Sequence, residues 1–86
     1  MENNDQIQQS ILTYVKENTY KDSSGLSFDT MLFVEGILDS MGFALLLDYL
    51  EETFKISPED SDLVESNFES INAITEYILS KQTAAA

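Results

Sequence analysis

The side chains in this sequence that could take part in chemistry are carboxylates and hydroxyls. The chain has sixteen aspartates and glutamates, but no histidine and no cysteine. Proton transfer and nucleophilic attack in enzymes usually depend on those two missing residue types. The sequence also contains no glycine-rich phosphate loop and no zinc-ligand spacing. Paired carboxylates such as Glu51 and Glu52 are typical of a solvated helix surface, so we expect a protein that is not an enzyme.

A cluster of carboxylates follows the only proline and suggests a calcium site at first sight. It consists of Glu59, Asp60, Asp62 and Glu65. The cluster lacks the glycine and the alternating oxygen ligands of a helix-loop-helix calcium loop. We therefore expect a solvated acidic surface and no metal site.

Ser40 is the hydroxyl whose position suggests a specific role. It follows Asp39 at the point where the strongest helical pattern of the chain begins. That pattern places apolar side chains on one face at intervals of three and four residues: Phe43, Leu46, Leu47, Leu50 and Phe54. A serine at the start of a helix is most often an N-cap. Taken alone, Ser40 is therefore interpreted as a helix cap.

The remaining periodicity predicts the elements that position Ser40. We expect helices over residues 5–17, 40–55 and 70–81, a short helix between Pro58 and Phe68, and a long loop over residues 18–39. Asn4 or Asp5 is expected to cap the first helix, and Ser57-Pro58 to begin the short one. The apolar residues of the loop are expected to pack on the core: Leu26, Phe28, Leu32, Ile37 and Leu38. The prediction is an all-α fold, a small four-helix bundle with three main helices, one short helix and a long first loop.

Size and charge limit the organisation and the partners. The length of 86 residues predicts a single domain over residues 1–86, with an ordered core over about 5–81 and a tail over 82–86. A net charge of −12 and the absence of arginine argue against nucleic acid as a partner. From composition alone, the charge is explained equally well by a basic protein partner and by simple solubility. No apolar run is long enough to span a membrane, and no signal peptide is evident. We expect a cytoplasmic monomer that does not bind membranes.

The stretch Gly-Ile-Leu-Asp-Ser at residues 36–40 resembles the modification site of the phosphopantetheine-dependent acyl carrier proteins, which are related to peptidyl and aminoacyl carrier proteins. In that family an Asp-Ser dipeptide, usually followed by leucine, opens the second helix. Met41 replaces the leucine here, with nearly the same volume. Residues 48–56 resemble the end of the family's second helix, and residues 65–71 the approach to its last helix. The resemblance covers about residues 7–79.

The resemblance implies that Ser40 carries a 4'-phosphopantetheine arm, which a phosphopantetheinyl transferase takes from coenzyme A. Acyl or aminoacyl intermediates would then be tethered to the arm as thioesters, while partner enzymes perform the catalysis. Asp39 is assigned by resemblance to presenting the serine and to recognition by the transferase. A helix start also suits the phosphodiester anion, because its free amides and the positive end of the helix dipole stabilise negative charge.

Partner docking in this family uses the second helix. The resemblance therefore assigns an apolar contact set, Met41, Ala44 and Leu45, and an acidic set, Asp48, Glu51 and Glu52. The expected partners are adenylating acyl or aminoacyl ligases and ketosynthase-type or acyltransferase-type enzymes.

Two positions of the second helix depart from the fatty-acid synthesis carriers. Gly42 and Leu45 stand where those carriers have acidic residues, and the sequence looks more like discrete carriers of ligase-loaded or secondary-metabolite pathways. Two alternatives remain open: a fatty-acid carrier with an atypical surface, and an unmodified acidic adaptor that only binds proteins.

Overall fold

The computed structural model describes residues 4–19 and 25–85, with side chains up to Gln82. Four α-helices follow one another along the chain, together with one turn of 3₁₀ helix at Asp60–Asp62. The helices are α1 (Asn4–Asn18), α2 (Ser40–Phe54), α3 (Glu65–Phe68) and α4 (Ile71–Ala85). The part of the chain that is described contains no strand, and the expected all-α carrier-like bundle is confirmed.

The core is formed by one face of each long helix. The periodicity of the apolar residues causes this arrangement, because residues three and four apart share one side of a helix. The buried side chains of the three helices are Ile7, Ile11 and Val15 on α1, Leu46, Leu50 and Phe54 on α2, and Ile71, Ile74, Tyr77 and Ile78 on α4. Phe68 of the short α3 is also fully buried among them. Helices α1, α2 and α4 therefore share one core, with α3 covering part of it.

The loop between α1 and α2 packs on this core as the sequence predicts. Leu32 and Leu38 are buried, and the three other expected residues, Leu26, Phe28 and Ile37, are partly buried against the core. Backbone hydrogen bonds fix the loop, since the Leu32 amide donates to the Glu69 carbonyl oxygen at 2.8 Å and the Asn72 amide donates to the Phe28 carbonyl oxygen at 3.0 Å. Residues 20–24 of this loop lie outside the described part of the chain.

Several predicted boundaries are wrong. Asn4 and Asp5 lie inside α1, so neither is its N-cap. Residues 55–59 are not helical, and Ser57-Pro58 does not begin a helix. Lys55 ends α2 in the left-handed conformation, and the next residue, Ile56, is buried in the core. The predicted short helix between Pro58 and Phe68 is present as α3, and the 3₁₀ turn precedes it.

The last helix is longer than predicted. It runs to Ala85, whereas the sequence predicts an end near residue 81 and a tail from residue 82. Alanine has the highest helix propensity of all residues, which explains why Ala84 and Ala85 extend the helix.

Candidate functional site

Asp39 is the N-cap of α2. Its backbone is extended, with φ −115° and ψ −173°, and its carboxylate accepts a hydrogen bond from the Gly42 amide at 2.7 Å. Its carbonyl oxygen accepts from the Phe43 amide at 2.8 Å, which is the first hydrogen bond of the helix. The interpretation of Ser40 as the cap is therefore wrong, because a cap needs the extended conformation that Asp39 adopts.

Ser40 is the first helical residue and its side chain is exposed to solvent. The first amides of a helix have no partner within the helix, and together with the helix dipole they favour an anion. The cap by Asp39 uses the amide of Gly42, so those of Ser40 and Met41 face outward from the helix start. A phosphodiester on the Ser40 oxygen fits this environment. The hydroxyl can therefore accept a phosphoryl group without disturbing the cap.

Gly42 allows Asp39 to approach the helix closely. A Cβ atom at this position would lie 3.2 Å from the Asp39 carboxylate oxygen Oδ1 and 3.5 Å from Cδ2 of Leu38. A contact of 3.2 Å between carbon and oxygen is tight, and relieving it would lengthen the capping hydrogen bond. The close approach of Asp39 to the backbone at Gly42 thus serves the cap.

A groove of about 500 Å³ lies beside Ser40, between the last turns of α1 and the first turns of α2. Its walls include Tyr14 and Val15 from α1, Ile37 and Leu38 from the loop, and Leu45 from α2. Asp39 and Met41, the two neighbours of Ser40, both line it. Burial raises the pKa of Tyr14, and the charge of Asp48 adds to this effect, so the Tyr14 hydroxyl stays neutral at physiological pH. The lining is therefore largely apolar and carries few charges.

The residues assigned to partner contact all lie on the exposed side of α2. Met41 is 74% exposed and Leu45 is 52% exposed, while Ala44 is also exposed. The acidic residues Asp48, Glu51 and Glu52 follow along the same helix and are likewise exposed. The two sets form one surface that runs from Ser40 toward the end of α2. Whether this surface docks partner enzymes stays a prediction.

The other side of α2 is closed by aromatic rings. Phe43 contacts Phe33 and Phe68 edge to face, with centroid distances of 5.7 and 5.0 Å. Phe68 in turn contacts Tyr77 at 5.1 Å. Edge-to-face packing is a favourable geometry for aromatic pairs. The four rings therefore form a continuous row from the loop through α2 and α3 to α4.

Asp62 connects the acidic segment to α4, which the sequence did not predict. Its carboxylate oxygen Oδ2 accepts hydrogen bonds from the Glu59 amide and the Tyr77 hydroxyl, and it pairs with Lys81 at 3.0 Å. The Glu59 amide and Lys81 lower the pKa of Asp62, and burial together with the bond to Asp62 raises the pKa of Tyr77. Neither Lys81 nor Tyr77 is near Asp62 in sequence, so spacing alone could not reveal the contact.

The described residues contain neither a cluster of metal-ligating side chains nor a membrane-spanning helix. In residues 4–19 and 25–85, no group of three or more acidic, histidine or cysteine side chains converges in a way that could hold a metal ion. Over the same ranges, no helix is both long enough and apolar enough to cross a membrane.

Comparison with known proteins identifies the family. The family model for the phosphopantetheine attachment site matches residues 9–78, which includes the loop, all of α2 and the groove. A search of curated proteins gives no match. Members of this family are carriers of covalently bound 4'-phosphopantetheine, are typically non-catalytic, and work with partner enzymes such as phosphopantetheinyl transferases. Since the match covers well over half of the chain, the protein belongs to the phosphopantetheine attachment site family and is a phosphopantetheine-bearing carrier.

Proposed function

We propose that Ser40 is the residue to which 4'-phosphopantetheine is attached. The observation that supports this most directly is the division of roles at the start of α2, where Asp39 caps the helix and Ser40 is exposed as its first residue. A serine that capped the helix would have to give up its hydrogen bond on modification. Ser40 has no such bond to the helix amides, and its position favours the negative charge that the phosphodiester brings.

The attachment is a phosphoryl transfer in which the Ser40 oxygen is the nucleophile. A new bond forms between this oxygen and the phosphorus next to the pantetheine, while the bond within the coenzyme A pyrophosphate breaks and adenosine 3',5'-bisphosphate leaves. The hydroxyl proton passes to a base. The chain has no histidine or cysteine, and the Asp39 carboxylate is engaged with the Gly42 amide, so the transferase must provide the base and the Mg²⁺.

We infer that the arm carries acyl or aminoacyl groups as thioesters and that an adenylating ligase loads them. The arm supplies the thiol, and the chain itself has no cysteine that would compete with it. The inference of ligase loading rests on α2, where Gly42 and the half-exposed Leu45 replace the acidic residues of fatty-acid synthesis carriers. We further infer that the protein acts as one carrier domain and as a monomer.

Intact-protein mass spectrometry after incubation with coenzyme A and a broad-specificity transferase tests the attachment. One phosphopantetheine adduct is expected, and fragmentation should locate it on Ser40. The variant Ser40→Ala should gain no adduct, whereas Ser66→Ala, which removes another exposed helical serine, should gain it in full. An adduct on Ser40→Ala, or none on the unaltered chain beside a working control carrier, would contradict the proposal. The absence of an adduct on the unaltered chain would favour the alternative of an unmodified acidic adaptor.

The loading step distinguishes a ligase-loaded carrier from a fatty-acid carrier. The modified protein is offered either to adenylating ligases with ATP and a mixture of carboxylic and amino acids, or to a malonyl-transferring acyltransferase. Thioester formation with a ligase and none with the acyltransferase is expected. Efficient malonyl loading would show instead that the protein is a fatty-acid or polyketide carrier with an atypical surface.

The exposed acidic residues of α2 are proposed to steer basic partners. Glu51 and Glu52 lie beyond Met41, Ala44 and Leu45 on the surface described above, and the net charge of −12 provides a long-range field. Changing both to lysine should slow modification or loading several-fold at low salt and have little effect at high salt. The matched control changes Glu17 and Glu76, which are exposed on α1 and α4, to lysine. Equal slowing in both double variants would show that only net charge matters and that α2 is not the docking surface.

A further inference from the structure

The segment that leads into α2 carries two exposed apolar side chains, Met31 and Val34. Val34 is 72% exposed, almost as much as Met41 on α2, and Met31 is 37% exposed. The large apolar side chains that are exposed in the described residues form three pairs along the chain: Met31 and Val34, Met41 and Leu45, and Leu63 and Val64. The pair before α2 contributes little to the core, so its exposure calls for an explanation outside the fold.

Backbone hydrogen bonds make the loop turn, residues 31–36, a fixed part of the surface. The Glu35 amide donates to the Met31 carbonyl oxygen at 2.9 Å, and the Gly36 amide donates to the Phe33 carbonyl oxygen at 3.1 Å. Gly36 has a φ of 76°, a left-handed conformation that glycine adopts without strain. The loop turn is therefore a short helical turn that glycine ends.

The loop turn divides its side chains between the core and the solvent. Leu32 is fully buried, and Phe33 is partly buried and contacts the ring of Phe43 at 5.7 Å. Residues three apart on a helical turn share one side, so Met31 and Val34 face the solvent together. Valine has few side-chain rotamers to lose, and the backbone of the turn is already fixed. Binding through this pair would therefore cost little conformational entropy.

The loop turn lies next to the start of α2. The Leu38 amide donates to the Leu32 carbonyl oxygen at 3.0 Å, which holds the turn beside a residue only two positions before Ser40. Gly36 at the end of the turn and Met41 of α2 line the same groove. The exposed pair of the loop turn thus adjoins the exposed apolar surface of α2, with Ser40 between the two pairs in sequence.

The charge around the loop turn indicates the chemistry of a partner. Residues 25–39 contain three carboxylates, Asp29, Glu35 and Asp39, and no lysine. Apolar side chains flanked by carboxylates are complementary to an apolar pocket with a rim of lysine or arginine. The loop turn therefore fits a basic protein.

We propose that Met31 and Val34 of the loop turn are docking residues for the phosphopantetheinyl transferase. This inference rests on the proposed attachment at Ser40. The transferase acts on the Ser40 oxygen itself, so its active site must reach the start of α2 and the adjoining loop turn. An enzyme that loads the arm acts on the thiol at its far end and can leave the loop turn free. The transferase is thus the partner that has to contact this pair.

The rate of modification tests the pair against a matched control. The double variant Met31→Gln/Val34→Gln makes the loop turn polar without changing net charge, and Leu63→Gln/Val64→Gln does the same to a pair that is 41% and 47% exposed before α3. Mass spectrometry follows modification by coenzyme A and a broad-specificity transferase at several carrier concentrations. The loop variant should lose about tenfold in kcat/KM, mainly through a higher KM, and the control should stay within about twofold of the unaltered protein.

A conservative variant separates apolar contact from an effect on the fold. Met31→Leu/Val34→Ile keeps both side chains apolar and should be modified at nearly the rate of the unaltered protein. Circular dichroism should show the same helix content in all three double variants, because the replaced side chains are exposed. Equal slowing in the loop variant and in Leu63→Gln/Val64→Gln would overturn the inference, because the position of the apolar pair would then not matter.

A second measurement locates the contact directly. The variant Ser40→Ala cannot accept the arm, so its complex with the transferase, coenzyme A and Mg²⁺ does not turn over. Amide NMR signals of residues 31–36 should shift or broaden when the transferase is added, whereas those of Gln9 and Thr13, exposed on α1, should not. Unchanged signals in residues 31–36, together with equal modification rates, would overturn the inference while leaving attachment intact. No adduct on the unaltered protein would overturn the proposed function and this inference together.

Discussion

The two sides of α2 are built in opposite ways. On the side of α3 and α4, the ring of Phe43 packs edge to face on the fully buried Phe68. On the side of α1, Met41 and Leu45 are more than half exposed and border an open groove. The difference shows that close packing and exposed apolar surface are separated across a single helix. The closed side holds α2 in place, so the open side can remain incompletely packed next to Ser40.

The largest loss of stability is expected from a substitution in the aromatic row. Replacing Phe68 by alanine removes a fully buried ring that contacts Phe43 and Tyr77, and should cost about 3 to 5 kcal/mol of the free energy of unfolding. The matched change on the open side, Met41→Ala, should cost no more than about 0.5 kcal/mol because Met41 is largely exposed. Urea unfolding followed by circular dichroism measures both. Similar losses of unfolding free energy in the two variants would show that the two sides of α2 contribute equally to stability.

Removing the N-cap of α2 should cause a moderate loss of stability. Asp39→Ala loses the hydrogen bond to the Gly42 amide and should cost about 1 kcal/mol, whereas Ser40→Ala should change the free energy of unfolding by less than about 0.5 kcal/mol. Asp39→Asn keeps a capping oxygen but removes the charge. If it retains stability and still loses modification by the transferase, Asp39 has a recognition role beyond the cap. A larger loss in Ser40→Ala than in Asp39→Ala would contradict the assignment of the cap.

A smaller change is expected from Asp62→Asn, on the side of α2 that faces α3 and α4. It should appear as a change in how stability depends on pH. Its pKa is lowered in the folded protein, mainly by the Glu59 amide and Lys81, so its ionised form stabilises the fold. This contribution is fully present above its ordinary pKa near 3.8 and is lost as the pH falls through the lower folded value. The melting temperature of the unaltered protein should exceed that of Asp62→Asn near neutral pH, and the gap should close below about pH 4.

The difference between the two proteins isolates Asp62, because protonation of the other carboxylates affects both alike. Asp60→Asn, which removes a carboxylate at an exposed neighbouring position, is the matched control and should melt close to the unaltered protein near neutral pH. A gap between Asp62→Asn and the unaltered protein that stays constant down to pH 2 would show that the charge of Asp62 is not involved.

The smallest change in the free energy of unfolding is expected from Gly42→Ala, which tests how closely Asp39 approaches α2. Alanine at this position gains up to about 1 kcal/mol in helix propensity, but its Cβ would push against the Asp39 carboxylate at 3.2 Å. We expect the two effects to offset each other within about 0.5 kcal/mol. In the Asp39→Ala background the opposing contact is absent, and Gly42→Ala should then give its full gain. Additive changes in this double-mutant cycle would mean that the glycine does not serve the cap.

The elements with strong periodicity were predictable from the sequence. Leu46, Leu50 and Phe54 repeat at helical spacing and are all buried, because an apolar helix face is removed from water only when it packs against other elements. The apolar residues of the long loop also indicated that the loop would pack. The Asp-Ser dipeptide indicated the start of α2 and the family, and the match to the phosphopantetheine attachment site confirms the family.

The features that the sequence could not predict depend on backbone angles or on contacts between residues far apart in sequence. The choice of Asp39 over Ser40 as cap depends on backbone angles, since both residue types are good caps. Proline at residue 58 suggested a helix start, but residues 55–59 are not helical, and the neighbouring Ile56 is buried in the core. The bonds of Asp62 to Tyr77 and Lys81, and the groove between α1 and α2, arise only when the helices are assembled.

The cap formed by Asp39 also bears on the order of events in the life of the protein. Because the helix start is complete without any contribution from the Ser40 hydroxyl, folding needs no prior modification. Newly made chains can therefore accumulate as a folded reserve that awaits the transferase. Under the attachment proposed at Ser40, the unmodified and the modified protein would therefore share one fold, and the transferase reaction alone would set the amount of modified carrier.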